Sequence, residues 1–200
     1  MSFRIEEKLY IRPENLFDFR IFLNKKNALN LYHPRVIESL YFDTYNLDIY
    51  NDSIEGLTPR KKIRVRNYPE DKEITRYLEI KNSSVEGRHK VRKIINQNLY
   101  QNYQKKGFFD LQYGLCFPKV YVRYKREYAQ INDVRISIDT NLSYRNFENK
   151  FQSNDGRIIV ELKTSFKKNL DELIKDFPIQ RIRFSKYSYA IECLKIKNFS

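Results

Sequence analysis

Glycine supplies only five of the 200 residues and tryptophan none. Neither GxGxxG nor the GxxxxGKS or GxxxxGKT pattern occurs. A glycine-rich phosphate loop and a dinucleotide fold are therefore disfavoured, and any phosphate binding falls to side chains. There are two cysteines, Cys116 and Cys193, in no CxxC or zinc-type spacing, so a disulfide framework is not expected and a reducing, cytoplasmic setting is. Histidine is limited to His33 and His89; no HExxH and no GxSxG is present, which argues against acyl-transfer chemistry. The N-terminus MSFRIEEKLY has no apolar core of a signal peptide, and no apolar run is long enough to suggest a transmembrane segment.

Positive charge is what the chain has in excess. Lysine and arginine number 38 against 25 aspartates and glutamates, a formal charge of +13. Such a field implies an anionic partner, which could be nucleic acid, anionic lipid or a phosphorylated small molecule. Aromatic residues are also plentiful, with 16 tyrosines and 14 phenylalanines. No linker or compositional break divides the chain, so it reads as one domain, residues 1–200.

Period-two alternation dominates and predicts about eight strands, at 3–11, 36–43, 60–68, 75–81, 88–94, 118–128, 134–139 and 157–163. Helices are predicted from Pro13 to about Leu29 and over 96–105, 168–177 and 187–196. One face of many strands is cationic: Arg60, Lys62, Arg64 and Arg66 in one, Arg88, Lys90 and Arg92 in another. Those faces could simply meet water, as one face of an antiparallel sheet often does. Three features favour an enclosed face. The charge is of one sign in strand after strand, so neighbours repel. Tyrosines and single glutamates, such as Tyr124, Tyr128, Glu79 and Glu161, share the charged faces. The opposite faces are aliphatic, and the helices can cover them.

At this point the residues resemble the VTC domain, the polyphosphate polymerase domain of the triphosphate tunnel metalloenzyme superfamily. The pieces, in order, are Arg4-x-Glu6-x-Lys8, Tyr41-Phe42-Asp43-Thr44, Arg60-x-Lys62-Ile63-Arg64-Val65-Arg66-x-Tyr68, Leu78-Glu79-Ile80-Lys81, Lys90-x-Arg92, Tyr124-x-Arg126, Val134 to Asp139, Glu161-Leu162-Lys163 and Phe184-Ser185-Lys186-Tyr187. The resemblance implies an α+β fold, an eight-stranded antiparallel β-barrel forming a tunnel with surrounding helices. It implies that Lys8, Arg64, Arg66, Lys81, Lys90, Arg126, Lys163 and Lys186 grip phosphate, with Arg60, Arg92 and Arg135 as further candidates. Tyr124 and Ser185 would add hydrogen bonds. Glu161 matches the family's metal-binding carboxylate, and Glu6 is a second candidate ligand for Mn2+ or Mg2+. Related tunnel enzymes carry two glutamates in an ExExK strand; here Arg4 takes the first position, so a second metal is not implied.

The activity so implied is phosphoryl transfer, with ATP and polyphosphate or triphosphate as partners. Arg64, Arg66, Arg126 and Lys186 would stabilise the developing charge. An acceptor phosphate gives polyphosphate synthesis; water gives an inorganic triphosphatase or nucleotide phosphohydrolase. A non-catalytic polyphosphate-binding module and a basic RNA-binding protein are the remaining readings. Glu79 and Glu161 among the charged faces argue against nucleic acid. Several residues keep a second reading: Glu79 as a counter-charge, Glu161 in a salt bridge to lysine, Tyr124 in packing and Lys186 at a helix end. His89 is expected at the surface.

Overall fold

The computed structural model describes residues 5–165, 167–177 and 179–196. Arg4 lies outside the described residues. Eight strands have seven or more residues: β1 (Ile5–Ile11), β2 (Leu29–Asp43), β3 (Arg60–Asn67), β4 (Arg76–Ser84), β5 (Gly87–Ile95), β7 (Gly114–Ile131), β8 (Val134–Asn146) and β10 (Ile158–Thr164). Three short ones join them: β6 (Phe108–Asp110), β9 (Gln152–Asp155) and β11 (Gln180–Arg181). The helices are α1 (Leu16–Lys25), α2 (Asp48–Glu55), α3 (Gln97–Lys106), α4 (Lys167–Asp176) and α5 (Lys186–Cys193). The fold is α+β with a large antiparallel sheet. Among the described residues the strand order is β11-β1-β10-β8-β7-β2-β3-β4-β5, with β6 on β7 and β9 on β8. This order is an open path from β11 to β5.

Two compact units are interleaved along the chain. One comprises Met1–Val36, Tyr124–Leu142 and Asp155–Phe184. The other comprises Ile37–Arg123, Ser143–Asn154 and Ser185–Ser200.

In the first unit the register stacks aliphatic residues across three strands. Leu9 pairs with Val160 and Val160 with Ile138; Ile11 pairs with Ile158 and Leu162 with Ile136. Phe19 and Leu23 of α1 and Leu170 of α4 cover this surface, and all of these residues are buried. Phe177 follows α4 and meets Phe19 and Phe22 at ring-centroid distances of 5.3 and 5.2 Å. Each large side chain so buried contributes about 1.5–3 kcal/mol before conformational entropy is deducted. The same alternation leaves Glu6, Lys8, Glu161, Lys163, Arg135 and Ser137 together on the other face.

The second unit builds its core from Ile37, Leu40, Phe42, Ile63, Val65, Val120 and Val122. Tyr103 of α3 meets Phe42 edge-on at 6.5 Å. Ser53 of α2 and Ser188 of α5 are buried and hydrogen-bonded at 3.4 Å.

The short strands β6, β9 and β11 were not predicted, and β7 and β8 run beyond the predicted 118–128 and 134–139; two further stretches also depart from the sequence-based expectation. The helix predicted to about Leu29 ends at Lys25, because Asn27 adopts a left-handed conformation (φ 55°) and Ala28 N–H returns to Leu23 O. The following residues form the largely exposed first half of β2 and include Pro34, which edge-like strand segments tolerate. Helix α2 was not predicted. Buried Asp43 creates its start: Oδ1 accepts from Thr44 and Ile49 N–H, and Oδ2 from Tyr50 N–H at 2.9 Å. Burial raises the Asp43 carboxyl to about 6 despite these hydrogen bonds and one from Tyr187 Oη. The Asp43 and Thr44 side chains of the sequence motif thus accept from the first N–H groups of α2, whose N-cap residue is Leu47.

Candidate polyanion-binding site

In the second unit, β2, β3, β4 and β5 lie side by side, and their register assembles a cationic grid. Tyr41, Arg64, Glu79 and Arg92 are cross-strand neighbours in one row. Lys62, Lys81 and Lys90 form the next. Arg66 lies between Ser39 and Tyr77 on the far side of the first row.

Glu79, only 2% exposed, is the counter-charge of this grid. Its Oε2 accepts from Arg64 Nε at 2.8 Å and lies 3.7 Å from Arg66 Nε. Its Oε1 accepts from Lys90 Nζ at 2.6 Å and lies 3.5 Å from Arg92 Nε. Burial opposes its ionisation, but Arg64, Arg66 and Lys90 outweigh that and hold the carboxyl at about 2. Burial likewise pushes the Lys90 ammonium below its ordinary range, Arg64 and Arg66 adding to the effect while Glu79 opposes it. Tyrosines orient the guanidinium groups: Arg64 Nη1 donates to Tyr41 Oη at 2.7 Å, and Arg92 stacks 3.7 Å above the Tyr77 ring. Tyr41 stacks in turn on buried Tyr187.

The N-terminus of α5 adds to this unit. Ser185 is the helix N-cap, its Oγ accepting from Ser188 N–H and from Lys62 Nζ at 2.8 Å. Lys186 is the first helical residue and is half-buried. Arg60 instead donates to the carbonyls of Gly56 and Leu57 beyond the end of α2.

The first unit holds a different arrangement. Arg126 makes a bidentate pair with buried Asp139, Nε to Oδ1 at 2.5 Å and Nη2 to Oδ2 at 2.7 Å. Its Nη2 also lies 3.5 Å from Glu161 Oε2. Burial works against the guanidinium charge, but Asp139 and its neighbours raise the pKa well above the ordinary value, so Arg126 stays charged. Glu161 Oε1 pairs with Lys163 Nζ at 2.7 Å. Across the strands Lys8 is opposite Glu161, Glu6 opposite Lys163, and Arg135 opposite Lys163 on the other side. Lys8 Nζ donates to Phe184 O at 2.6 Å. Tyr124 is buried, with Arg126 5.2 Å from its ring centroid.

The structure therefore gathers Arg64, Arg66, Lys81, Lys90 and Arg92 in one cluster, and Lys8, Arg126, Lys163, Glu161 and Glu6 on adjoining strand positions in the other. Asp139, Tyr41 and Ser39 were not singled out from the sequence as site residues. Alternation does place Asp139 on the face of Arg135 and Ser137, but only the tertiary pairing with Arg126 gives it a role.

Among the described residues no group of three or more histidines, cysteines, aspartates or glutamates is arranged to hold a metal. A cage made by protein alone is therefore not the fit. Glu161 and Glu6, diagonal to each other across β1 and β10, are the carboxylates here that would be available to a hard divalent cation. Among the described residues no helix is long and apolar enough to cross a membrane.

Comparison with known proteins gives a consistent picture. The VTC domain family matches residues 3–195. No curated protein matches. Solved structures share the fold at low identity. A conserved hypothetical protein of Pyrococcus furiosus superposes with a TM-score of 0.62 at 18% identity, covering 92% of this chain and 99% of that one. A proposed adenylate cyclase of Bacillus halodurans gives 0.62 at 11% identity, covering 92% and 96%. The PH1819 protein of Pyrococcus horikoshii gives 0.63 at 15% identity, covering 96% and 99%.

Proposed function

We propose, for a chain that belongs to the VTC domain family of the triphosphate tunnel metalloenzymes, that it synthesises polyphosphate from ATP by metal-dependent phosphoryl transfer. Superfamily membership supports phosphoryl or polyphosphate chemistry and enzymatic activity in general terms. Closure of the eight long strands into the family's tunnel is part of this reading.

One observation carries it. Lys62, Lys81 and Lys90 sit directly opposite one another on three adjacent strands, beside the row of Arg64 and Arg92, and Glu79 accepts from Lys90 at 2.6 Å. Like charges in register destabilise a sheet. A phosphate chain, with negative charge on every unit, offsets that cost where a single small anion cannot span the row. Arginines beside it add bidentate contacts, and lysines act as compact point charges.

The chain's residues then divide the work. Lys62, Lys81, Lys90 and Arg92 bind and align the phosphate chain. Arg64 and Arg66, fixed by Glu79, and Arg126, fixed by Asp139, are preorganised to meet negative charge that grows on the transferring phosphoryl group. Lys186, at the start of α5, supplies a further cation. Lys8, Lys163 and Arg135 extend the grip on the strands that carry Glu161. Glu161 and Glu6 would hold Mg2+ or Mn2+, which when bound neutralises phosphate oxygens as a Lewis acid. No protein nucleophile is required: the acceptor's terminal phosphate oxygen attacks the γ-phosphorus of ATP in line, the bond from that phosphorus to the β,γ-bridging oxygen breaks, and ADP leaves.

The test is incubation of the protein with ATP and Mn2+, followed by analysis for polyphosphate and free phosphate. Long-chain product that disappears in Glu161→Ala supports synthesis. Free phosphate without polymer converts the assignment to a triphosphatase. Absence of both, with triphosphate still bound, leaves a binding module and sinks the enzymatic reading.

A further inference from the structure

A concave site lies within the second unit, and none of its residues belongs to the cationic grid. It is a cavity of about 260 Å³, lined chiefly by Tyr45, Gln104, Phe117, Lys119, Phe147 and Glu148. Phe117, Lys119 and Tyr121 occupy alternate positions of β7, while Pro118, Val120 and Val122 between them are buried. The β7 part of the lining is thus Phe117 and Lys119 with Pro118 between them, and Tyr45, Gln104 of α3 and the turn after β8 complete it.

The wall chemistry is specific: three aromatic rings, one amide, one ammonium and one carboxylate. Lys119 Nζ stands 5.7 Å from the Tyr45 ring centroid. Next to the cavity, Arg145 lies 4.1 Å over the Tyr121 ring, and Tyr121 is 6.0 Å from Phe147. Gln104 Nε2 donates to Tyr121 Oη at 3.0 Å, which fixes the amide while its second N–H and its carbonyl retain hydrogen-bonding capacity.

The turn is built in advance. Asn146 is buried, and its Oδ1 accepts from the backbone N–H of Glu148 at 2.8 Å and of Asn149 at 3.3 Å. Phe147 N–H donates to Lys119 O at 2.9 Å, and Asn146 N–H to Phe151 O at 2.8 Å. Phe147 and Glu148 are therefore held by backbone hydrogen bonds that need no ligand, which lowers the entropic cost of binding.

We propose that this cavity binds a mononucleotide with an amino-bearing base, of the adenine type. Aromatic rings accept a flat base by stacking. The Gln104 amide pairs with a neighbouring donor and acceptor on the base edge, and Glu148 accepts from the exocyclic amine. Lys119, with Arg145 beyond it, attracts the phosphate. The Glu148 carboxylate repels the successive phosphates of a nucleic-acid strand, and the volume suits one base. A free nucleotide is accordingly the ligand, rather than single-stranded RNA or DNA.

The experiment is calorimetric titration of the whole chain with AMP in the presence of saturating inorganic triphosphate, which occupies the cationic grid. AMP should still bind, at one site, and more tightly than UMP. Phe147→Ala should weaken AMP binding about tenfold, the scale of a lost stacking contact. Phe147→Leu should also weaken it while retaining the wild-type melting temperature. Both variants should bind triphosphate normally, so a failure here leaves the phosphoryl-transfer assignment untouched. Loss of the AMP signal on adding triphosphate, or wild-type affinity in both Phe147 variants, overturns the proposal. An oligo(dA) that binds more tightly than AMP, with a steep salt dependence, overturns it in favour of a strand-binding surface.

Discussion

The two units handle the same kind of residue in opposite ways. In the second, one buried carboxylate, Glu79, serves Arg64, Arg66, Lys90 and Arg92 within 3.7 Å. In the first, charges are matched almost one to one: Arg126 with Asp139, and Lys163 with Glu161. The second cluster sets four cations around one carboxylate, the arrangement on which the proposal of polyanion binding draws. The first is nearly neutral, and its carboxylates are the groups suited to holding a cation and to positioning Arg126. Burying several cations is tolerable where a counter-charge is built in or where a ligand brings one.

Removing Glu79 should break this contrast most severely. Glu79→Gln leaves Arg64 and Arg66 without their buried partner, and a loss of about 3 kcal/mol is expected in urea unfolding. Added tripolyphosphate should restore part of it, since the ligand replaces the missing charge. The pH dependence has a definite sign. Glu79 is held at about 2 against an ordinary 4.5, so its contribution is complete above about 4.5 and disappears as the pH falls towards 2. The variant should therefore show a flatter acid limb across that window. An unchanged limb would remove Glu79 from the centre of the grid.

Asp139→Asn should have the next largest effect, about 2 kcal/mol, because Arg126 loses a bidentate partner but keeps Glu161 at 3.5 Å. Tripolyphosphate should rescue this variant less than Glu79→Gln, measured as the shift in melting temperature. Equal rescue would mean that the first unit grips phosphate as strongly as the second. Ser185→Ala should be mildest, about 1 kcal/mol, from loss of the α5 cap. A thermal melt checks this, and a larger loss would give the Lys62–Ser185 hydrogen bond a structural weight of its own.

Much of this architecture was legible beforehand. Strands such as Arg60–Asn67 and Ile158–Thr164 announce themselves by alternation, since successive strand residues point to opposite faces whatever the partner strand is. Helix α2 and the first half of β2 were not legible. The helix is eight residues long and depends on hydrogen bonds to Asp43, and the β2 segment is mostly exposed, so it carries no apolar period. The site was legible as a list of cations. Its pairing was not: nothing local distinguishes Glu79, which binds four cations, from Glu161, which binds Lys163 and stands near Arg126.

Charge sign, face alternation and the order of motifs were thus determined by the sequence alone, because they depend on residue type and on the two-residue period of an extended chain. Register was decided only in the tertiary structure. Long-range strand pairing puts Lys62, Lys81 and Lys90 in one row and brings Asp139 to Arg126, and a one-residue slip of any strand would turn those side chains to the opposite face. The basic character first visible in composition becomes, through register, one cluster in which four cations share a carboxylate and one in which charges are paired.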